Sequence, residues 1–456
     1  MDVKQLHDEF MSILSESHPG LTFEEYMDSC IFLLFYQYLC LKYEEVLEDA
    51  YKPEEMARLA VRGRLQITAF CHFIESASSF LHRADPHFQL TDFSFYKKIQ
   101  AVPSLEKQKS FARFFRKLIK KICGWDCNAI LLEHYPDFFT ALVAGFSKMK
   151  KRTYLPAALP ALYRMFFQES PSDENRIFFP YFQYGALLET SFGNNGEIEI
   201  YGYEKSIEYL EIFTISCYMR GIPLKNMHLF LKVEWKKKKG YPDFFDRILL
   251  FLPEGAEAGE LVTETQRLPS GEENFYVGAK GEFPFLLSAF YYLKENGSLA
   301  AIVPGGLLYR EGKESQIRKY LIEERNCLDA VMLLPESMFH FTGQDEVFLF
   351  FKKGRKEQEV MFFDCSKIKE FDEEQMRMIR EAYTEKKTIP GFCACVKKES
   401  IEENEYNLNL PRYIAQTMEE MTIDLELSRK RIEEIDRELQ SIEEKMAVYR
   451  RELNLF

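Results

Sequence analysis

The densest group of chargeable side chains is Lys232–Lys239 (KVEWKKKK), which ends in the consecutive lysines Lys236, Lys237, Lys238 and Lys239. Clustered ammonium groups neutralise phosphates, and they also occur as plain solvated loops; both readings stand for this run. A second basic stretch, Arg113–Lys121 (RFFRKLIKK), carries its apolar residues at helical spacing, so its cations form the wet face of an amphipathic helix. Metal chemistry is poorly provided for. Ten cysteines are scattered through the chain, and only Cys123/Cys127 and Cys393/Cys395 lie close together. Neither pair repeats the spacing of a zinc site, and His134 alone does not complete one, so no metal is expected.

The charge balance restricts what these groups can do. The chain carries 59 Lys and Arg against 72 Asp and Glu, a net charge of −13. That argues against a free-standing nucleic-acid binder, which needs a basic surface. It permits a basic patch on an acidic body, or a partner that makes the phosphate contacts. Residues 1–20 lack the apolar core of a secretory signal, which predicts a cytoplasmic protein with free thiols. The longest apolar run, Cys30–Leu41, includes Gln37 and is too short to span a bilayer; it reads as a buried core helix.

The elements that must position any site follow from periodicity. At 456 residues the chain exceeds what a single core of about 250–300 residues accommodates. Residues 1–150 read as helices, with apolar spacing in Leu6, Phe10, Ile13, Leu14 and in Phe111, Phe114, Phe115, Leu118, Ile119, separated by turns at Pro53, Pro86, Pro103 and Pro136. From about residue 175 short β-rich runs alternate with helical stretches: 177–179, 198–201, 247–252, 299–303, 330–334, 347–351 and 360–363. This pattern predicts βαβ units around a mostly parallel sheet, closed by two hairpin-like strands at 346–363. Glu254–Glu282, with seven acidic and two basic residues, reads as a loop or lid. The tail repeats Leu425, Ile432, Ile435, Leu439, Ile442, Met446, Tyr449 and Leu453 at 3–4 spacing through about four heptads, broken only by Ser428. Such a helix docks on its own body or on a partner helix, and the partner is the expected use.

The segment FPFLLSAFYYLKENGSLAAIVPGGLLYREGKESQIRKYLIEERNCLDAVMLLPESMFHFTGQDEVFLFFKKG resembles the modification (methyltransferase) subunit of type I restriction-modification systems, an N6-adenine DNA methylase family. The resemblance is carried by Lys294–Gly297, Pro304–Gly306, Ile317–Arg318, Leu328–Val331, Leu334–Pro335 and Thr342–Gly343. FEEYMDSCIFLLFYQYLCLKYEEV near the start and YNLNLPRYI (Tyr406–Ile414) near the end resemble the same family in the same order. The resemblance implies an α/β fold in three parts. These are a helical N-terminal domain (1–150), a doubly wound, Rossmann-like S-adenosylmethionine-dependent methyltransferase domain (151–400), and a linker with a coiled-coil-type helix (401–456) for assembly. It implies methyl transfer to adenine N6 in DNA.

Residue by residue, the family's chemistry is largely missing. Its cofactor turn, Asp-Pro-Ala-Cys-Gly-Ser-Gly-Gly, aligns with Phe179–Ala186, where only Pro180 and Gly185 persist and Tyr181, Phe182 and Tyr184 add bulk. Its Phe-Tyr-Thr-Pro becomes Thr153–Pro156, which keeps Tyr154 and loses the Thr hydroxyl. Its Tyr-Gly-x-Glu strand end matches Ile198–Glu204, so Glu204 is either a ribose acceptor or an exposed strand-end acid; with the glycine turn lost, the exposed acid is expected. The catalytic Asn/Asp-Pro-Pro-aromatic, which accepts the adenine amino group and stacks on the flipped base, aligns with Phe251, Leu252, Pro253 and Glu254 behind an intact Phe245-Asp246. Phe251 has no acceptor and Glu254 cannot stack.

The expectation is therefore a catalytically degenerate subunit without S-adenosylmethionine. It would serve as a scaffold in a bacterial restriction-modification or phage-defence complex, bound through its tail to a DNA-specificity-type subunit or an active methyltransferase paralogue. The alternatives are an active, divergent adenine-N6 methyltransferase, and a DNA-binding module acting through Lys236–Lys239.

Overall fold

In the computed structural model the described residues are 22–52, 55, 56, 58, 67–101, 109, 110, 112–114, 116–119, 132–149, 158–168, 176–180, 198–204, 206–231, 245–251, 282–338, 345–369, 371–414, 437, 442 and 446. Helix α1 (Phe23–Lys42) opens on a capping box: Thr22 Oγ1 accepts from Glu25 N at 3.3 Å, and Thr22 N donates to Glu25 Oε2 at 2.8 Å. The run Cys30–Cys40 inside it is buried throughout, as the apolar sequence predicts. α1 packs with α2 (Ile67–Ala84), α3 (Ser94–Gln100) and α4 (Tyr135–Met149) around an aromatic core that includes Phe32, Phe35, Phe95 and Phe138. Pro136, expected in a turn, lies in the first turn of α4, where its fixed φ fits and its missing N–H has no helical partner to lose. Phe114, Leu118 and Ile119 are buried in the same core.

Nine strands form one sheet among the described residues: β1 (Arg176–Pro180), β2 (Glu199–Glu204), β3 (Met227–Leu231), β4 (Phe245–Phe251), β5 (Leu293–Pro304), β6 (Leu328–Leu333), β7 (Glu346–Lys352), β8 (Val360–Asp364) and β9 (Cys393–Val396). Their order is β3-β2-β1-β4-β5-β7-β6-β8-β9. β3 through β5 run parallel, as the alternating pattern predicts. The closing hairpin does not form. β7 inserts antiparallel between β5 and β6, and β8 pairs with β6 in parallel. β7 completes its ladder with two earlier strands, so β8 finds its free edge beyond β6.

Helices α5 (Ala158–Gln168), α6 (Ile207–Met219), α7 (Glu282–Tyr291), α8 (Lys313–Lys319) and α9 (Glu373–Thr384) cover both faces. α5, α6 and α9 share a core with Phe179, Leu249 and Phe251, while α7, α8 and residues 401–414 share the opposite core with Phe178, Ile248 and Leu250. This alternation along β4 is the pleat of a strand buried on both sides. The chain divides into two compact units, Met1–Ile414 and Ala415–Phe456. The second holds only three described residues. Among the described residues no helix is long and apolar enough to cross a membrane.

Candidate active site

The strand order reverses at β1: the chain runs outward to β2 and β3, then returns to place β4 and β5 on the other side. In open α/β sheets ligands bind beyond the carboxyl ends of the strands at this switch point. Here that edge is formed by Pro180, Glu204 and Phe251. Register fixes their relative heights. Pro180 pairs with Tyr203 and Phe178 with Ile248, so Glu204 and Phe251 both stand level with the position after Pro180. Two interstrand spacings separate them, about 10 Å. Alternation along β2 puts Glu204 on the face of Ile200, which belongs to the same core as Phe179 and Phe251.

Glu204 is 4% exposed, so the expected surface acid is in fact a buried carboxylate. β2 is an interior strand, flanked by β1 and β3, and Glu204 is its last residue. Phe251 is 2% exposed and pairs in register with Ile302 of β5. The carbonyl before it, Leu250 O, accepts from the Tyr163 hydroxyl at 3.3 Å. Phe179 is fully buried against Phe213 of α6, with ring centroids 5.3 Å apart. Phe179 and Phe251 are thus both core aromatics.

The helical core holds the element that follows Glu204. α6 begins at Ile207, capped by Ser206, and its Ile212, Ile215, Tyr218 and Met219 lie in the N-terminal core. Lys98 Nζ bridges Asp28 of α1 at 2.8 Å and Glu208 of α6 at 3.0 Å. Ser94 Oγ donates to Glu211 at 2.7 Å. Burial pushes the Asp28 and Glu211 carboxyls above their usual range, an effect that Lys98 and Ser94 only partly offset.

Three polar nodes lie outside the crevice, and each explains a motif that carried the resemblance. Asp246 Oδ2 accepts from Arg176 N at 3.1 Å, and Oδ1 lies 3.2 Å from Lys294 Nζ, joining β1, β4 and β5 at the start of β4. A Cβ on Gly297 would stand 2.9 Å from Asp246 O, so only glycine fits there. The Arg318 guanidinium donates to Tyr406 O at 2.8 Å, Leu307 O at 2.9 Å and Arg310 O at 2.8 Å. Asp329 lies 2.9 Å from Arg355 Nε and 3.4 Å from Lys352 Nζ and accepts from the Tyr383 hydroxyl. Burial pushes its carboxyl up, but Arg355 and Lys352 outweigh that and hold it below the usual aspartate value. A single charge inside an otherwise apolar run, as in LDAV, is the signal that marks the Asp329 node in the sequence; QIRK, with two adjacent cations, carries no such mark.

Several expected site residues lie outside the described residues: Tyr154, Gly185, Leu252, Pro253, Glu254, Lys236, Lys237, Lys238, Lys239, Leu425, Ile432, Ile435, Leu439 and Leu453, as do Cys123, Cys127, Thr342–Gly343 and the acidic stretch up to residue 281. Glu282 opens α7. In the tail, Ile442 is 56% and Met446 50% exposed. Among the described residues no group of three or more His, Cys, Asp or Glu side chains is arranged to hold a metal.

Residues 181–422 match the family model described as N-6 DNA Methylase. The Type I restriction enzyme MpnII methylase subunit of Mycoplasma pneumoniae is 32% identical over 165 residues, covering 34% of this chain and 30% of that protein. The Type I restriction enzyme MjaVIII methylase subunit of Methanocaldococcus jannaschii is 26% identical over 287 residues, covering 56% and 48%. The matches therefore span less than half the length of these curated relatives. Among solved structures, the type I restriction-modification methyltransferase subunit from Streptococcus thermophilus superposes with a TM-score of 0.72 at 18% identity, covering 91% of this chain and 100% of that one. A modification subunit of a putative type I restriction enzyme from Vibrio vulnificus gives 0.53 at 15% identity, covering 88% and 92%. At such identities the likeness is one of fold.

Proposed function

Because the chain belongs to the N-6 DNA methylase family and is similar to type I restriction-modification methylase subunits, we propose that it is a catalytically degenerate subunit of that kind. It acts as a scaffold in a bacterial restriction-modification or phage-defence complex in the cytoplasm. The observation that carries this reading is Phe251, a buried aromatic paired with Ile302 at the strand end where the family places its amino-group acceptor. Transfer to an exocyclic amine needs an acceptor that turns the nitrogen lone pair toward the methyl donor, and positioning supplies much of the rate. A phenyl ring packed in a core cannot do this. Among the described residues the crevice fits S-adenosylmethionine at one point only, through Glu204. Phe179 stands in the core where the family has an acid, so no transfer step follows from these residues.

The second reading, an active and divergent adenine-N6 DNA methyltransferase, is favoured by Glu204. Its carboxylate stands at the end of β2, on the carboxyl edge of the sheet at the switch point, where ribose hydroxyls would donate. The readings separate in a radiolabelled methyl-transfer assay on DNA, with a DNA-specificity-type subunit or active methyltransferase paralogue co-expressed from the neighbouring genes. The scaffold reading expects no label in DNA that depends on this subunit's own crevice, tested by Glu204→Gln. Loss of label in that variant favours the enzyme. The three-part division at 150 and 400, the tail as the assembly helix, and Lys236–Lys239 as a phosphate contact complete the proposal.

A further inference from the structure

Residues 305–312 form a loop on the rim of the crevice. The loop follows β5, the strand beside Phe251, and carries Tyr309, which is 51% exposed. Its backbone is fixed from within, where Gly306 O accepts from Tyr309 N at 3.2 Å and Arg310 N at 3.0 Å, and at its start by the residue before β7, where Gly305 N donates to Asp345 O at 2.7 Å. It is also fixed from far away in sequence. Leu408 N donates to Leu308 O at 2.8 Å, and the Arg318 guanidinium spans Leu307 O and Arg310 O on one side and Tyr406 O on the other. Arg318 is 3% exposed. Burial pulls it down to about 10, which leaves it charged at neutral pH. On the far side the backbone is strained. Glu405 and Tyr406 both sit at positive φ, 55° and 57°, a region that L side chains with a Cβ avoid. That turn aims the Tyr406 carbonyl at Arg318, while the Tyr406 hydroxyl donates to Glu323 at 2.7 Å. Ile414, eight residues on, is the last residue of the first unit, and the tail begins at Ala415.

We infer that Arg318 mechanically couples the root of the C-terminal tail, residues 404–414, to the rim loop 305–312, so that the state of the tail root sets the position of Tyr309. One rigid planar cation shares its donors between two backbone segments and holds them in a fixed relation, which a flexible ammonium cannot do. The strained pair at 405 and 406 is retained because it supplies the carbonyl that this sharing needs. A link of this kind is reciprocal: a change at either end is felt at the other. The inference takes its purpose from the assembly role proposed for residues 415–456. Its test uses no partner, so the relay and the assembly reading fail separately.

The test is hydrogen exchange on the full chain. In Arg318→Lys, exchange at the amides of Tyr309, Arg310 and Leu408 rises together by about tenfold, the scale of one lost hydrogen bond to a charged group. The amides of Ala330 and Val331 in β6 keep their protection. A rise in only one of the two segments overturns the coupling, and so does a uniform rise across the sheet. Tyr406→Phe tests the reverse direction and serves alone if Arg318→Lys does not fold. Losing the Glu323 contact at the tail root speeds exchange at Tyr309 and Arg310, which Tyr406 does not hold by hydrogen bonds. An effect confined to 404–408 refutes the relay.

Discussion

Glu204 and Phe251 stand level with one another on either side of β1, at the ends of β2 and β4. One is a buried carboxylate and the other a buried phenyl ring. The end of β2 thus keeps a polar group while the end of β4 is continuous with the core. Restoring the family's residue by Phe251→Asn therefore does not restore methyl transfer. It removes a packed ring and leaves an amide in the core beside Ile302, and urea denaturation should show a loss of about 3–5 kcal/mol, the usual cost of emptying a Phe site. Gain of transfer activity in this variant would show that the scaffold around it is still catalytic.

Asp246 and Lys294 differ in their consequences although they form one pair. Asp246 has a 5% exposed side chain and also accepts from Arg176 N, whereas the Lys294 side chain is 30% exposed. Asp246→Ala strands the N–H of β1 and is expected to cost about 3 kcal/mol, while Lys294→Met costs about 1 kcal/mol or less. Equal losses in chemical denaturation would contradict the structural role of Asp246.

Asp329 gives a pH dependence with a definite sign. Its folded carboxyl lies below the ordinary aspartate value, because Arg355 and Lys352 outweigh burial. The stability it contributes is therefore complete above the unfolded value, near 3.9, and is lost as pH falls through the folded one. Melting temperatures of the wild type and Asp329→Asn should differ most at neutral pH and converge below about pH 4. A difference that widens with acid would reverse the assignment.

The parts of this molecule most legible in its sequence are those whose signal is local. Ile177–Phe179, Leu299–Val303 and Ala330–Leu334 read as strands because consecutive apolar residues mark burial on both faces, the last of these strands running Leu328–Leu333. Cys30–Cys40 reads as a core helix for the same reason. What failed was long-range. β7 looked like half of a hairpin with β8 because the two are adjacent in sequence, yet its partners are β5 and β6. β3 (MHLFL) and β9 (CACV) are short edge strands with little β-branched content, so they carry no pattern. Glu204 was expected to be exposed because the glycine turn is lost, whereas it is 4% exposed on a strand that β3 makes interior to the sheet. At the site, the aromatic residue at 251 was legible in the sequence but its burial was not, and the three polar nodes at Asp246, Arg318 and Asp329 depend on contacts across 70 residues or more for two of them.

The heptad tail predicts a separable assembly element. Deleting 425–456 is expected to abolish co-purification with a DNA-specificity-type subunit while leaving the melting of the sheet unit unchanged. Association that survives the deletion would move the partner surface elsewhere.

The central claim is that the crevice no longer serves transfer chemistry, and calorimetric titration of the full chain with S-adenosylmethionine tests it most directly. The account predicts no measurable heat of binding. Saturable binding with micromolar affinity, abolished by Glu204→Gln, would contradict it and establish a working cofactor site.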